Sequence, residues 1–204
     1  MAYVLGFFAA DGYITVNKRG GQFWCIDIKD KKLIEAIKDK IESNHKISVR
    51  IRHDKKYISY RIQIGSVEMC EDLRRLGFSK NKTKSLSVPQ IPNIYFSHFV
   101  RGYFDGDGNV WSGLIHKGRQ TRSLAIQTVF TSCSLKFLEK LKDRLEKFGI
   151  LKGRIRGKLN YFRLVYSINS SLKLYSFMYN SLSRSRLFLP RKRSVFEKYI
   201  KMRP

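Results

Sequence analysis

The chain repeats itself, and no other feature limits its fold as much. VLGFFAADG at residues 4–12 returns as VRGYFDGDG at 100–108, a spacing of 96. LIEAIKDKIE at 33–42 returns as FLEKLKDRLE at 137–146, RIR at 50–52 returns at 154–156, and Tyr57 returns as Tyr161, all at a spacing of 104. The change of spacing puts eight additional residues into the second copy, within SGLIHKGRQTRS, which reads as a longer hairpin loop. A period this long marks a copied structural unit, so what holds for one half is expected of the other.

Each copy opens with a short apolar helix ending in Asp-Gly. Two strands follow: YITVN and QFWCIDIK in the first copy, NVW and RSLAIQTVF in the second. An amphipathic helix comes next, with Leu33, Ile34, Ile37 and Ile41 at helical spacing. Two further strands, KISVRIR and YISYRIQI against GRIR and YFRLVYSI, precede a last helix and a Lys-rich segment. The expected fold class is α+β: two pseudo-symmetric αββαββα repeats with antiparallel sheets, helices on one face, joined at the two motif helices. Two prolines in VPQIPN, residues 88–93, stop any helix between the copies. The halves are therefore expected at 1–88 and 98–204, with 89–97 as linker.

The strands alternate with period two. Ile58, Tyr60, Ile62 and Ile64 face one way, and Tyr57, Ser59, Arg61 and Gln63 the other; Ile47, Val49 and Ile51 oppose Lys46, Ser48, Arg50 and Arg52. One face thus packs on a core and the other meets solvent. Arg, Gln, Ser and Tyr dominate that outer face, and these side chains read base edges and hold phosphates. An ordinary polar sheet surface would carry more Asp and Glu. The charge balance agrees: 41 Lys and Arg against 16 Asp and Glu give a net +25. Such a field repels itself, and nucleic acid is the polyanion that offsets it. The basic residues are spread over the chain, which disfavours a membrane-surface helix. No apolar run approaches the ~20 residues of a membrane span, and the N-terminus lacks a signal-peptide pattern. Cys25, Cys70 and Cys133 are scattered and odd in number, as expected of free thiols in a reducing compartment.

The motif helices carry the chemistry. YVLGFFAA at 3–10 is apolar all round, which marks a buried helix. Gly6 and Ala10 lie four apart, as do Gly102 and Gly106, and small residues at that spacing let two helix backbones approach closely. The two helices are therefore expected to pack on each other about a pseudo-twofold axis. That packing brings Asp11 and Asp107 together at two helix C-termini, where the dipole is already negative and each carboxylate costs up to ~1 kcal/mol. A divalent cation resolves the conflict, since Mg²⁺ takes one or two carboxylates with phosphate oxygens and waters. Paired carboxylates beside a base-reading surface suggest phosphodiester hydrolysis. An isolated Asp-Gly would merely turn the chain; two copies at matching positions argue for more.

VLGFFAADG and VRGYFDGDG resemble the two signature motifs of the LAGLIDADG homing endonucleases in their single-chain, two-repeat form, and the resemblance spans essentially the whole chain. It implies two saddle-shaped sheets straddling double-stranded DNA, a monomer, and a staggered double-strand break across the minor groove of a long, pseudo-palindromic target. It implies Mg²⁺ as cofactor, with Mn²⁺ substituting and Ca²⁺ supporting binding without cleavage. The family's metal-binding acid falls on Asp11 and Asp107. Its earlier acid position is Ala9 in one copy and Asp105 in the other. Its basic residue near the scissile phosphates matches Lys82 and Lys192, with Lys84 and Arg191 close by. A polar pair that relatives carry at the end of the second strand is Ile28-Lys29 here and Ser132-Cys133 in the second copy, so the two centres are expected to be unequal. An RNA-binding maturase on intron RNA and an inactive DNA-binding regulator are the alternatives on the same scaffold. The implied location is intracellular, with DNA, in a bacterial or archaeal cytoplasm or an organelle.

Arg50, Arg52, Arg61, Gln63, Arg122, Gln127, Arg154, Arg156 and Arg163 are the expected base-reading residues. Lys18, Arg19, Lys56, Lys117 and Arg119, near loop tips, should hold phosphates, and Lys29 lies at the centre. Of Trp24 and Trp111, one is expected in the core and one on DNA; the pattern does not separate them, and Trp24 is counted with the DNA contacts. The histidines, His45, His53, His98 and His116, show no metal-ligand spacing.

Overall fold

A computed structural model describes residues 1–51, 58–78, 85–116, 118, 123–180 and 187–203. Helix α1 (Ala2–Asp11) leads into strands β1 (Gly12–Val16) and β2 (Gln22–Ile28), helix α2 (Lys31–Lys40), strands β3 (Ser48–Ile51) and β4 (Ile58–Gly65), and helix α3 (Val67–Arg75). The second copy runs α4 (Asn93–Asp107), β5 (Gly108–Ile115), β6 (Ser123–Ser132), α5 (Leu135–Glu146), β7 (Arg154–Lys158), β8 (Tyr161–Tyr166) and α6 (Ile168–Tyr179). A further helix, α7 (Pro190–Met202), follows. The strands form two antiparallel four-stranded sheets, ordered β1-β2-β4-β3 and β5-β6-β8-β7. The repeat read in the sequence is therefore a repeat of topology.

Local chemistry sets the element ends. Asp30, Ser66 and Ser134 cap α2, α3 and α5, their side chains accepting from Leu33 N, Met69 N and Phe137 N, each satisfying an amide the helix leaves unpaired. Leu33, Ile34 and Ile37 of α2, and Phe137, Leu138, Leu141 and Leu145 of α5, bury one stripe of each helix under a sheet. Phe8 of α1 stacks on Trp24 at 5.6 Å and meets Phe78 edge-on at 5.5 Å. Phe104 of α4 packs on Phe130 and Phe196 at 5.8 and 5.9 Å. A single apolar core runs from one copy through both motif helices into the other.

The elements differ from the sequence expectation in four places. The additional eight residues are mostly strand: β1 and β2 have 5 and 7 residues, β5 and β6 have 8 and 10. α4 begins at Asn93, inside the stretch expected as linker, because Pro92 ends the extended segment and Tyr95 N can bond back to Pro92 O at 3.0 Å. The Lys-rich segment of the second copy is the first turn of α7, with Pro190 at its start, where a missing amide costs nothing. β3 lies at a sheet edge, and its Val49 and Ile51 are exposed where alternation placed them inward.

Candidate active site

The site begins with two glycines. A side-chain carbon on Gly6 would overlap the carbonyl oxygen of Phe99, and one on Gly102 would overlap that of Tyr3. The contacts are reciprocal, because Tyr3 and Phe99 occupy the same repeat position. α1 and α4 therefore cross backbone to backbone. One turn further on, a side chain on Gly106 would collide with Cβ of Ala10 and stand 3.1 Å from Asp11 Oδ2. Asp11 and Asp107 are the last residues of α1 and α4, and the crossing carries them toward each other. Tyr103 senses both: burial first, then the carboxylates of Asp107 and Asp11, push its phenol well above the ordinary range. Its hydroxyl donates to Thr131 O at 2.7 Å. The glycines after the aspartates need no unusual backbone, since Gly12 and Gly108 are extended. They are needed for space, because a side chain on either would overlap Phe8 or Phe104.

Each carboxylate opens onto its own cavity. Asp11 lines one of about 450 Å³ with Asp27, Lys29, Asp105, Gly106 and Arg191. Asp107 lines one of about 130 Å³ with Ala9, Ala10, Tyr103, Ser132 and Cys133. The two are pseudo-symmetric, with Asp105-Gly106 answering Ala9-Ala10 and Ile28-Lys29 answering Ser132-Cys133. They are unequal in charge: Lys29 and Arg191 face the first, and no basic residue lines the second among the described residues.

Lys192 does not line either of these cavities. It is buried, and its Nζ donates to the carbonyls of Phe104, Asp105 and Gly108 at 2.6, 2.7 and 2.6 Å, with Gly106 O at 3.4 Å. It thus caps the C-terminus of α4, where the helix leaves carbonyls unpaired and its dipole is negative. Burial pulls its amine down to about 8, against the pull of Asp105, Asp11 and Asp107, which leaves it protonated at neutral pH. The neighbouring Arg191 is exposed and faces Asp11. The sequence pattern could not separate adjacent cations on one helical turn.

Asp105 is 2 % exposed. Its Oδ2 accepts from Tyr3 Oη at 2.7 Å and Leu189 N at 2.9 Å, tying both copies and the start of α7 together. Its Oδ1 is buried without a hydrogen-bond partner among the described residues. Burial raises its carboxyl to about 6, against the pull of Tyr3, Lys192, the Leu189 amide and Arg101. Arg101, fully buried on the same helix, donates to Leu187 O and Met178 O at 3.0 and 2.7 Å and meets His98 Nδ1 at 2.9 Å. Sequence reasoning missed this network, since nothing local marks a buried arginine whose acceptors lie in α6 and before α7.

The remaining expected contacts divide by sheet. Arg50, Arg61 and Gln63 lie on the outer face of the first sheet, and Gln127, Arg154, Arg156 and Arg163 on that of the second. Arg61 is half-buried, donating to Tyr13 Oη, and to Gln63 Oε1 at 3.5 Å. Lys18 and Arg19 are exposed at the β1–β2 turn, where Asn17 Oδ1 accepts from the amides of Arg19 and Gly21. Trp24 is corrected to the core, stacked on Phe8; Trp111 is the exposed one, paired across the strands with Gln127. Cys25 and Cys70 are buried free thiols, and Cys133 is a partly buried one. Arg52, Lys56, Lys82, Lys117, Arg119 and Arg122 lie outside the described residues, as do Lys84 and His53. No helix among the described residues is long and apolar enough to cross a membrane.

The sequence matches the LAGLIDADG-like domain family over residues 1–77 and 97–179. Among curated proteins it is 26% identical over 183 residues to the replication factor C small subunit of Methanocaldococcus jannaschii, covering 86% of this chain and 9% of that protein. It is 33% identical over 137 residues to the probable translation initiation factor IF-2 of Thermococcus kodakarensis, covering 63% and 11%. The chain thus spans about a tenth of the length of these relatives. Among solved structures, the fold resembles the LAGLIDADG meganuclease I-AabMI bound to uncleaved DNA (17% identity, 98% of this chain and 88% of that one, TM-score 0.63). It also resembles I-SmaMI bound to an uncleaved DNA target in the presence of calcium ions (15% identity, 98% and 89%, TM-score 0.65).

Proposed function

The chain belongs to the LAGLIDADG family, and from that premise we propose that it is a site-specific, divalent-metal-dependent endonuclease of double-stranded DNA, acting as a monomer. The observation that carries the proposal is the backbone-to-backbone crossing of α1 and α4, which end on Asp11 and Asp107 at adjoining C-termini, each beside a sheet with a basic outer face. Helix C-termini repel anions, and a divalent cation would offset two carboxylates there beyond the Lys192 ammonium that caps α4. Among the described residues no three acids, histidines or cysteines cluster into an all-protein metal cage. Two carboxylates in an open setting suit Mg²⁺, which keeps waters and accepts substrate phosphate oxygens. Gly106 leaves Asp11 Oδ2 room on the side of the partner helix.

Asp11 and Asp107 hold the metal, which when bound acidifies water and offsets charge on the phosphodiester. Mn²⁺ substitutes, and Ca²⁺ supports binding alone. Arg191 and Lys29 stand over the Asp11 cavity as fixed positive charge for the developing phosphorane. Lys82 is the proposed counterpart for Asp107. Lys192 holds the turn that presents Asp107. The sheets read the DNA through Arg50, Arg154, Arg156, Arg163 and Gln127, with Lys18 and Arg19 on phosphates. Two unlike outer faces on one pseudo-symmetric frame favour a long, pseudo-palindromic target and a staggered break. The match to about a tenth of two archaeal proteins with unrelated names supports a homing element that recurs within host chains.

The test is a cleavage selection on a randomised duplex library with Mg²⁺ and with Ca²⁺. One long site should be cut with Mg²⁺ and only bound with Ca²⁺. Asp11→Asn and Asp107→Asn should each lower cleavage at least ~10³-fold while changing affinity in Ca²⁺ by less than ~10-fold. Binding without a cut under any metal would leave a DNA-binding regulator, and loss of affinity in either variant would make the aspartates structural.

A further inference from the structure

The outer faces of the two sheets are charged differently. β5, β6, β7 and β8 contain no Asp or Glu. Arg156 sits directly across from Arg163, both exposed, and like charges so placed repel. Such a surface is completed by phosphate. The four strands of the first sheet contain one acid, Asp27.

Asp27 lies on the outer face of β2, directly opposite Arg61 on β4. Its Oδ2 is 3.8 Å from Arg61 Nε and 3.7 Å from Arg50 Nη1. Arg61 is the less exposed partner, its side chain 16% exposed, and its guanidinium is engaged by Tyr13 and Gln63. Arg50 is 54% exposed. One carboxylate therefore joins residues of all four strands, and Arg50 is the most exposed member of the cluster among the described residues. Arg61 serves as the anchor of this cluster. Both ion pairs exceed hydrogen-bond distance, so the carboxylate keeps acceptor capacity. It also lines the Asp11 cavity, which puts the cluster next to the cleavage centre.

We propose that Asp27 is a specificity-determining residue, which together with Arg50 selects a G·C pair in the part of the first half-site nearest the scissile phosphates. The assignment rests on the endonuclease reading above. A guanidinium fork matches guanine O6 and N7, and a carboxylate accepts from the cytosine amino group. The pair thus presents one donor set and one acceptor to a single base pair. The carboxylate also discourages Arg50 from settling on a phosphate, which would hold any sequence equally well. The first sheet carries this paired donor and acceptor, and the second, whose strands hold no acid, adds the larger electrostatic hold to its own base contacts.

The experiment is a binding selection on randomised duplex DNA in Ca²⁺, with salt titration, for the wild type and for Asp27→Asn, Arg50→Lys and Arg163→Lys. Asp27→Asn should lose about tenfold or more of its preference at one G·C position of the first half-site. It should also bind non-specific DNA more tightly and steepen the log–log salt slope by about one phosphate contact. Arg50→Lys, at an exposed position that cannot unfold the sheet, should lose the same position, because lysine lacks the fork. Arg163→Lys should leave that position intact. Unchanged preference in both first-sheet variants overturns the proposal, as does a loss spread over all positions with a lowered melting temperature, which would make Asp27 a structural tie. A wild type that selects no sequence at all overturns the endonuclease reading, and this proposal with it.

Discussion

At the scale of single residues, Asp105 is the group out of place. Its carboxyl is buried, raised to about 6, and has one oxygen without a partner among the described residues. The sign of the linkage follows from that shift. Between about 4, the unfolded value, and about 6, the folded chain keeps a proton that the unfolded chain releases, so rising pH favours unfolding. Above about 6 the buried charge costs on the order of 1–3 kcal/mol. Asp105→Asn keeps an acceptor for Tyr3 and the Leu189 amide and cannot ionise. Its stability relative to wild type should therefore improve as pH rises from about 4 to 7, measured by urea unfolding at each pH. A difference that stays constant across that range would sink the argument. Ala9, the counterpart in the first copy, shows that the frame of packed motif helices needs no acid at this position.

At the scale of elements, the α1–α4 crossing and the C-terminus of α4 decide whether the aspartates are presented at all. Gly6→Ala or Gly102→Ala puts a methyl onto a backbone carbonyl that no rotamer change can move. Each should destabilise by about 3 kcal/mol or more, whereas Gly118→Ala, with nothing near it among the described residues, should stay within about 0.5 kcal/mol. Chemical denaturation separates the two cases; equal midpoints would mean the helices do not touch. Lys192→Met keeps the unbranched apolar stem and removes the donor from the carbonyls at the end of α4. It should cost about 2–4 kcal/mol of stability. If its melting temperature were unchanged while cleavage vanished, Lys192 would be a catalytic cation and not a cap. The amphipathic stripes of α2 and α5 and the alternation of β4 were legible because helix and strand periods are local. β3 defeated the same reasoning, since burial at a sheet edge depends on what covers it.

At the scale of the whole molecule, one chain builds two carboxylate-lined cavities on one pseudo-twofold frame without making them equal. Arg191 and Lys29 serve the Asp11 cavity, and the Asp107 cavity is smaller and lined by Ser132 and Cys133. One strand should therefore be cut at least several-fold faster, with nicked duplex accumulating before the double-strand break. Strand-labelled time courses read this directly. Arg191→Ala should slow the faster strand by about 10²-fold and leave the other near its wild-type rate. Equal slowing of both strands would place Arg191 in general DNA binding instead.

The sequence by itself determined the repeat, the α+β order, the closeness of the motif helices and the presence of one aspartate at each helix end. All of these are written in spacings of two, four or about a hundred residues, and such spacings need no coordinates. The tertiary structure decided which tryptophan is core, which of two adjacent cations faces the carboxylate, what holds Asp105 and what Asp27 restrains. Tyr3 reaches Asp105 across 102 positions, and Lys192 reaches the end of α4 across 84 to 88. A buried polar group takes whichever partner packing brings within hydrogen-bond distance, and no local period records that choice.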